Sequence, residues 1–262
     1  DRRMGTRGAG AVRKEGPLTT TADFIAVDVP ATYFRDRVRR DYTNWRQALA
    51  REFLQNSVDA GATLISFQFI PEGDNARLVV TDDGHGADRE TIINKLLVLG
   101  GSHKVGESIG GFGLAKELLF FAWREWSIRT DGLLVEGRAG SYRIVEGQEP
   151  FAGFRAEILI PDAEAPAIRE AFEHYLPRCE TSAVITLNGA RAVTSWRRPR
   201  RATKDLGWGK IYRDRTEHDK YISIRHSGVE MYQAWSGHPE SVGRIVVELT
   251  GASVDLLTSN RD

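Results

Sequence analysis

Glu52-Phe-Leu-Gln-Asn56-Ser-Val-Asp59-Ala60, Asp82-Asp-Gly84-His-Gly86 and Gly110-Gly111-Phe112-Gly113-Leu-Ala-Lys116 are three short polar motifs that follow one another between Trp45 and Lys116. The first lies in a stretch whose periodicity predicts a helix from Trp45 to Ala60, with Gly61 placed to end it. On that helix Glu52, Asn56 and Asp59 stand at i, i+4 and i+7, within about 60° of one another at 100° per residue. Leu49, Phe53 and Val58 offer apolar packing on neighbouring faces. Alone, the pattern fits an ordinary amphipathic helix with a solvated polar stripe. Beside a phosphate it takes on chemistry: a carboxylate there can orient and deprotonate a water. A carboxamide oxygen one turn on can join phosphate oxygens around a hard cation such as Mg²⁺.

The segments Thr63 to Ile70 and Ala76 to Asp82 read as strands, and the turn Pro71-Glu-Gly-Asp-Asn75 makes them antiparallel. By the period-two rule Leu78, Val80 and Asp82 share a face, so a carboxylate follows two core residues inward. A buried carboxylate needs a donor, and the exocyclic amino group of adenine is one. Gly84 and Gly86 would let the backbone approach a flat ring where a Cβ would clash. Standing alone, the second motif is an Asp-Gly turn closing a hairpin. A helix from Arg89 to Val98 is expected next. Gly100 to Ile109 is then polar and glycine-containing, as a lid would be, with Ser102 and Lys104 as candidate phosphate contacts.

The third motif opens an apolar helix from Leu114 to Trp123. Glycines ahead of a helix leave backbone N–H groups free for phosphate oxygens, and the helix dipole favours the anion. Gly110, Gly111, Phe112 and Gly113 are the candidate contacts, with Lys116. A Walker A loop cannot be fitted, and Lys116 stands where a dinucleotide fingerprint has its third glycine.

Composition bounds the alternatives. The 262 residues, 41% of them hydrophobic, suffice for one substantial core and part of another. Lys and Arg together equal Asp and Glu at 36 each, so a polyanionic partner would have to be met locally. The single cysteine, Cys179, excludes an intramolecular disulfide and a multi-thiolate metal site. The chain has no apolar run of spanning length, and a soluble cytoplasmic protein without membrane partners is the expectation.

Residues 1–18 carry five basic residues among small ones and read as a flexible basic tail. Order is expected from Phe24, through a short strand to Val29 and a helix from Pro30 to Arg40. After the motifs come strand patterns at Glu125 to Thr130, Leu133 to Ala139, Ser141 to Glu146 and Arg155 to Ile160. A helix from Glu164 to Tyr175 and a strand from Ala183 to Leu187 follow. Helices on one face of a mixed, largely antiparallel sheet make an α+β sandwich. Nine basic residues lie between Arg191 and Arg215, interleaved with Trp196, Trp208 and Tyr212. They fit either a solvated connector or a nucleic-acid contact by phosphate pairing and base stacking. Strand patterns at Lys220 to His226 and Gly243 to Leu249 suggest the start of a second β-rich domain. The expected division is therefore a tail over 1–18, a nucleotide domain over 19–205 and the beginning of a β-rich domain over 206–262.

In their order and wording the three motifs resemble the nucleotide-binding signature of the GHKL superfamily: gyrase B subunits, heat-shock chaperones of the ninety-kilodalton class, histidine kinases and MutL. The wording is closest to MORC, topoisomerase or phage rIIA-like members. The resemblance implies the Bergerat-type α/β sandwich and an ATPase. Glu52 would be the water-activating base, Asn56 the Mg²⁺ ligand, Asp59 a supporting polar residue and Asp82 the adenine reader. It also implies a cycle of slow ATP hydrolysis in which a lid closes and protomers pair as a homodimer when ATP is bound. A histidine-kinase-like phosphotransferase, or a module holding ATP without turnover, are the other readings. Many relatives carry a Gly-Thr pair on a late strand near adenine, where this chain has Gly153-Phe154. The hydroxyl assisting Asp82 is then absent or comes from elsewhere. Relatives also bring a cation from a following domain to the γ-phosphate. Lys204, Lys210 and Lys220 do not stand in a context that marks that residue, so it is expected beyond Asp262, in a longer protein of which this chain is a part.

Overall fold

In the computed structural model the helix α2 spans Trp45–Asp59, and Asn44 caps its start by accepting a hydrogen bond from the Gln47 N–H at 3.2 Å. It stops where Gly61 takes φ +72°, a left-handed conformation that costs glycine nothing. The structure describes residue 30 and residues 32–98, 115–194, 202–214, 221–235 and 243–250. The basic tail, the strand expected over Phe24 to Val29 and the glycine-rich segment over 99–114 lie outside the described residues. So do residues 195–201, 215–220, 236–242 and 251–262.

α2 is a central helix, with Leu49, Ala50, Phe53 and Leu54 buried beside the polar Arg51, Glu52, Gln55 and Ser57. Of the predicted stripe Glu52 is buried, while Asn56 and Asp59 are half-buried. It lies on an eight-stranded sheet together with α4 (Ala165–Tyr175). The short helix α1 (Tyr33–Asp41) joins them at the far side through Phe34, which packs against Phe121.

The strands of that sheet are β1 (Leu64–Glu72), β2 (Asn75–Asp82), β3 (Trp126–Thr130), β4 (Leu133–Arg138), β5 (Ser141–Val145), β6 (Phe154–Pro161), β7 (Val184–Leu187) and β8 (Ala190–Arg191). Their order is β5-β4-β3-β6-β2-β1-β7-β8. Only the β1–β7 pairing is parallel; the other neighbours are antiparallel. The helix side of the sheet is apolar, carrying Ile65, Phe67, Leu78, Val80, Ile128, Val135, Ala156 and Ile158. On the other face Arg77, Arg143 and Arg155 pair with Glu72, Glu136 and Glu157, and the stems of such side chains cover Val79 and Leu159, which are buried. This is the α+β sandwich, and the strand spacing of the sequence is recovered to within one or two residues.

The two helices flanking residues 99–114 correct the expectation. Instead of a helix from Arg89 to Val98, an α-helical turn α3 (Arg89–Thr91) passes into a π-helical turn over Ile92–Leu96. Instead of an α-helix from Leu114 to Trp123, the chain is π-helical over Glu117–Phe121. Leu97 and Ala122 donate to carbonyls five residues back, at 2.9 and 2.8 Å. All five side chains of that turn, Glu117–Phe121, are buried.

A second, five-stranded sheet has the order β12-β11-β13-β10-β9. Its strands are β9 (Lys204–Asp205), β10 (Gly209–Asp214), β11 (Tyr221–His226), β12 (Val229–Trp235) and β13 (Arg244–Leu249). β9, β10 and β12 were not among the expected strands. Ser227 and Gly228, both at positive φ, form a two-residue turn between β11 and β12. That Ser-Gly pair between two alternating runs is the hairpin signal that could have found β12.

Candidate ATP site

Of the residues singled out in the sequence, the structure describes Glu52, Asn56, Asp59, Asp82, Gly84, Gly86 and Lys116. Glu52 faces inward from the middle of α2 and is 5% exposed. Arg51 lies beside it, 3.4 Å from Nη2 to Glu52 Oε1. Asn56 and Asp59, one and two turns later, are half-buried. Over seven residues the helix rises about 10 Å, so Glu52 and Asp59 mark opposite ends of a polar strip.

Asp82 ends β2 with its carboxylate turned into the protein, as the period-two rule predicts. Oδ2 accepts a hydrogen bond of 2.7 Å from the Ser57 hydroxyl, and Oδ1 accepts one of 3.0 Å from the Gly84 N–H. Asp82 thus receives a hydroxyl from α2, one residue after Asn56. Burial pushes the Asp82 carboxyl above its ordinary pKa, and the Ser57 and Gly84 hydrogen bonds only partly counter it. The neighbouring Asp83 does a different task. It accepts from the Thr63 and Leu64 N–H groups at 2.7 Å, and its exposed carboxyl is held low, first by the Thr63 hydroxyl.

The glycines after Asp82 have a reason beyond approach to a ring. A Cβ on Gly84 would stand 2.8 Å from the Ala60 Cβ and carbonyl oxygen, and His85 donates to that same Ala60 oxygen at 3.0 Å. Gly86 has φ +68°, and a Cβ there would meet the Thr130 hydroxyl at 2.6 Å and the Gly153 oxygen at 2.7 Å. The loop is therefore moulded onto the end of α2 on one side and onto β3 and β6 on the other.

Thr130 is the residue that motif reading missed. Fully buried on β3, its hydroxyl donates to the Gly153 carbonyl and accepts from the Ala87 N–H, both at 2.9 Å. It ties Ala87, the residue after the loop, to Gly153, the residue before β6. The alternating pattern of β3 marks Thr130 as inward-facing, and an inward hydroxyl must find partners.

Lys116 is buried, and its ammonium donates to the Val98 carbonyl, bridging the two sides of the 99–114 segment. Burial lowers its pKa. Its neighbour Glu117 is buried as well; desolvation raises its pKa, opposed first by Arg37 of α1 at 2.9 Å. Ser102, Lys104, Gly110, Gly111, Phe112 and Gly113 lie outside the described residues.

Of the basic segment, Arg191, Lys204 and Lys210 are exposed and Trp208 is 46% exposed. Tyr212 corrects the expectation of a stacking aromatic: it is buried against Val246 in the second sheet. Trp196 and Arg197, Arg198, Arg200, Arg201 and Arg215 lie outside the described residues.

Among the described residues no group of three or more His, Cys, Asp or Glu side chains is placed to hold a metal. A Mg²⁺ ion at Asn56 would fit in the manner usual for that ion, with one protein oxygen and the remaining ligands from nucleotide phosphates and water. No helix among the described residues is long and apolar enough to cross a membrane.

Residues 42–133 match the family model of histidine kinase-, DNA gyrase B- and HSP90-like ATPases. No curated protein matches the chain. The match opens just ahead of α2 and closes at the start of β4, and so takes in α2, the β1–β2 hairpin, the Asp82–Gly86 loop, the glycine-rich segment and Thr130. Three motifs in order, an inward carboxylate held by the helix that carries Glu52 and Asn56, and this match agree: over residues 42–133 the chain carries an ATPase domain of the GHKL superfamily.

Proposed function

We propose that the chain binds Mg·ATP along α2 and the Asp82–Gly86 loop and hydrolyses it slowly, with Glu52 as the base that takes the proton of the attacking water. The observation that carries this is the Ser57–Asp82 hydrogen bond. It locks the Asp82 end of the site to the helix that presents Glu52 and Asn56, so base, carboxamide and candidate adenine reader are held as one unit. Asp82 would accept from the exocyclic amine, which an inward acceptor with a fixed outline can do. Asn56 would meet a Mg²⁺ ion, whose part is to neutralise phosphate charge. Gly110 to Gly113, with Lys116, Ser102 and Lys104, would face the phosphates, and the polar segment between would close over them.

The division into an ATP domain over 19–205 and a β-rich domain over 206–262 belongs to the same proposal. So do the ATP-dependent pairing of protomers and a nucleic-acid contact through Arg191 to Arg215. The pairing is supported by the resemblance to gyrase-like and MutL-like proteins, the contact by the exposed Arg191, Lys204, Lys210 and Trp208.

Two variants separate binding from chemistry. Glu52→Ala should retain ATP affinity and lose turnover by about 10²–10⁴-fold, the usual worth of a general base. Asn56→Ala should weaken the Mg²⁺-dependent part of binding. Parental hydrolysis by Glu52→Ala overturns the assignment.

A further inference from the structure

The second sheet touches α2 at an unusual place. β12 is an edge strand of that sheet, and its pairing with β11 shifts register between Ile224 and Arg225, opposite which Met231 is the extra residue. Such a bulge frees backbone groups from the ladder and re-aims them. Here two successive carbonyls of β12 are taken by the first layer: the Tyr175 hydroxyl donates to the Glu230 oxygen at 2.6 Å, and Arg51 Nη1 donates to the Met231 oxygen at 3.4 Å. The β11–β12 turn is clamped as well, since the Glu180 N–H donates to the Gly228 oxygen at 2.8 Å, and a Cβ on Gly228 would stand 1.9 Å from the Glu180 oxygen.

Arg51 is thus held by the second sheet through one nitrogen while its other terminal nitrogen lies 3.4 Å from Glu52 Oε1. Both side chains are 6% exposed. We propose that Arg51 is a positioning residue for Glu52, and that the bulged strand β12 sets its position, so that the second sheet governs the geometry of the base without touching nucleotide. The inference rests on Glu52 acting as the base. The planar guanidinium suits the task, because its fork presents two donors at a fixed angle, one to the carbonyl and one to the carboxylate. With Oε1 engaged, Oε2 is left to meet water at a defined angle, and general-base catalysis depends on such placement. A shift of β12 would deprive Arg51 of its backbone acceptor and free the carboxylate to turn.

The test is single-turnover ATP hydrolysis and calorimetric ATP binding on Arg51→Gln, Arg51→Lys and Tyr175→Phe, with circular dichroism to check folding. Arg51→Gln should lower the rate about tenfold or more while ATP affinity stays within about twofold, because the residue positions a catalytic group and does not hold ligand. Arg51→Lys, which keeps the charge and loses the fork, should recover part of the rate. Tyr175→Phe, which removes the hydrogen bond to the Glu230 carbonyl of β12 without replacing Arg51 or Glu52, should lower the rate in the same sense and leave affinity unchanged. A parental rate in Arg51→Gln, Lys performing no better than Gln, or a rate loss matched by an equal loss of affinity each overturns the role of Arg51. A parental rate in Tyr175→Phe overturns the control by β12. Should Arg51→Gln fail to fold, the other two variants decide by the same pair of readouts. If Glu52→Ala hydrolyses at the parental rate, it is the reading of Glu52 that fails; if that variant is dead while Arg51→Gln keeps the parental rate, only the role of Arg51 fails.

Discussion

Replacing Asp82 by Asn removes a buried charge while keeping volume and most hydrogen bonds, so its effects on folding and on ATP should run in opposite directions. The Asn Oδ1 can keep the Gly84 N–H that Asp82 accepts at 3.0 Å, and its Nδ2 can donate to the Ser57 oxygen that now gives its proton to Oδ2 at 2.7 Å. The folded Asp82 carboxyl has its pKa raised above the ordinary value, mainly by desolvation. The native state therefore holds the proton more tightly than the unfolded chain, and stability is lost as pH rises through the window between the two values. Above that window the cost is complete, and Asp82→Asn should melt higher than the parent at neutral pH. Below the ordinary carboxylate range the two should converge.

ATP sees the reverse. In the orientation that keeps Gly84 and Ser57 satisfied, the carboxamide turns N–H groups toward the place of the exocyclic amine, so a donor meets a donor. Losing one such bond and leaving a polar group unmatched costs about 1–3 kcal/mol, or about 5–150-fold in Kd. Ser57→Ala should act in the same sense on ATP and in the opposite sense on the fold, since it strips the carboxylate of one of its donors. Calorimetry and thermal melting across pH read both quantities. Unchanged ATP affinity in Asp82→Asn would remove Asp82 from the adenine role, and a lower melting temperature at neutral pH would refute the desolvation argument.

Thr130→Val, nearly isosteric, strands the Gly153 carbonyl and the Ala87 N–H and should cost about 1–3 kcal/mol, seen as a lower melting temperature together with weaker ATP binding. Arg37→Met leaves buried Glu117 with Asp41 and Lys116 as its remaining charged neighbours. Its carboxyl, already raised by burial, should rise further, so the variant's melting temperature should fall more steeply than the parent's as pH increases from the carboxylate range to neutrality; parallel curves would contradict this. If the basic segment contacts nucleic acid, replacing Arg197, Arg198, Arg200 and Arg201 together should flatten the salt dependence of binding measured by fluorescence anisotropy, and no binding at low salt would favour a solvated connector.

What was legible in the sequence was what depends on local period. The strands of the first sheet alternate, and so their bounds and the inward turn of Asp82 could be read from Leu78 and Val80. The cap at Gly61 follows from a glycine placed after a polar helix end. Local rules did not reach the form of two helical turns. Ile92 to Leu96 and Glu117 to Phe121 fall in stretches that read as α-helix, yet both turns take the π form, which side-chain periodicity does not distinguish from α. The purpose of Gly84 and Gly86 was legible only in half. A glycine was required, but the atoms that require it belong to Ala60, Thr130 and Gly153, which come close only in the fold.

The hydroxyl for Asp82 shows where the limit lies. Gly153-Phe154 marked it as missing, and Ser57, inside the first motif, was read only as spacing between Asn56 and Asp59. Which side chains of a helix point at one carboxylate 25 residues on depends on how α2 crosses β2, and no periodicity carries that angle. The same holds more strongly for Arg51, which in sequence is only the residue before Glu52. Its role emerges from a strand 180 residues later whose extra residue, Met231, turns a carbonyl toward it. A base on a central helix is fully buried from every side but one, so the groups that tune it must reach it through protein. In this chain Arg51 of α2 is one such group, held in turn by the Met231 carbonyl of β12, so on the proposal above a shift of β12 on α2 would reach Glu52 without touching nucleotide.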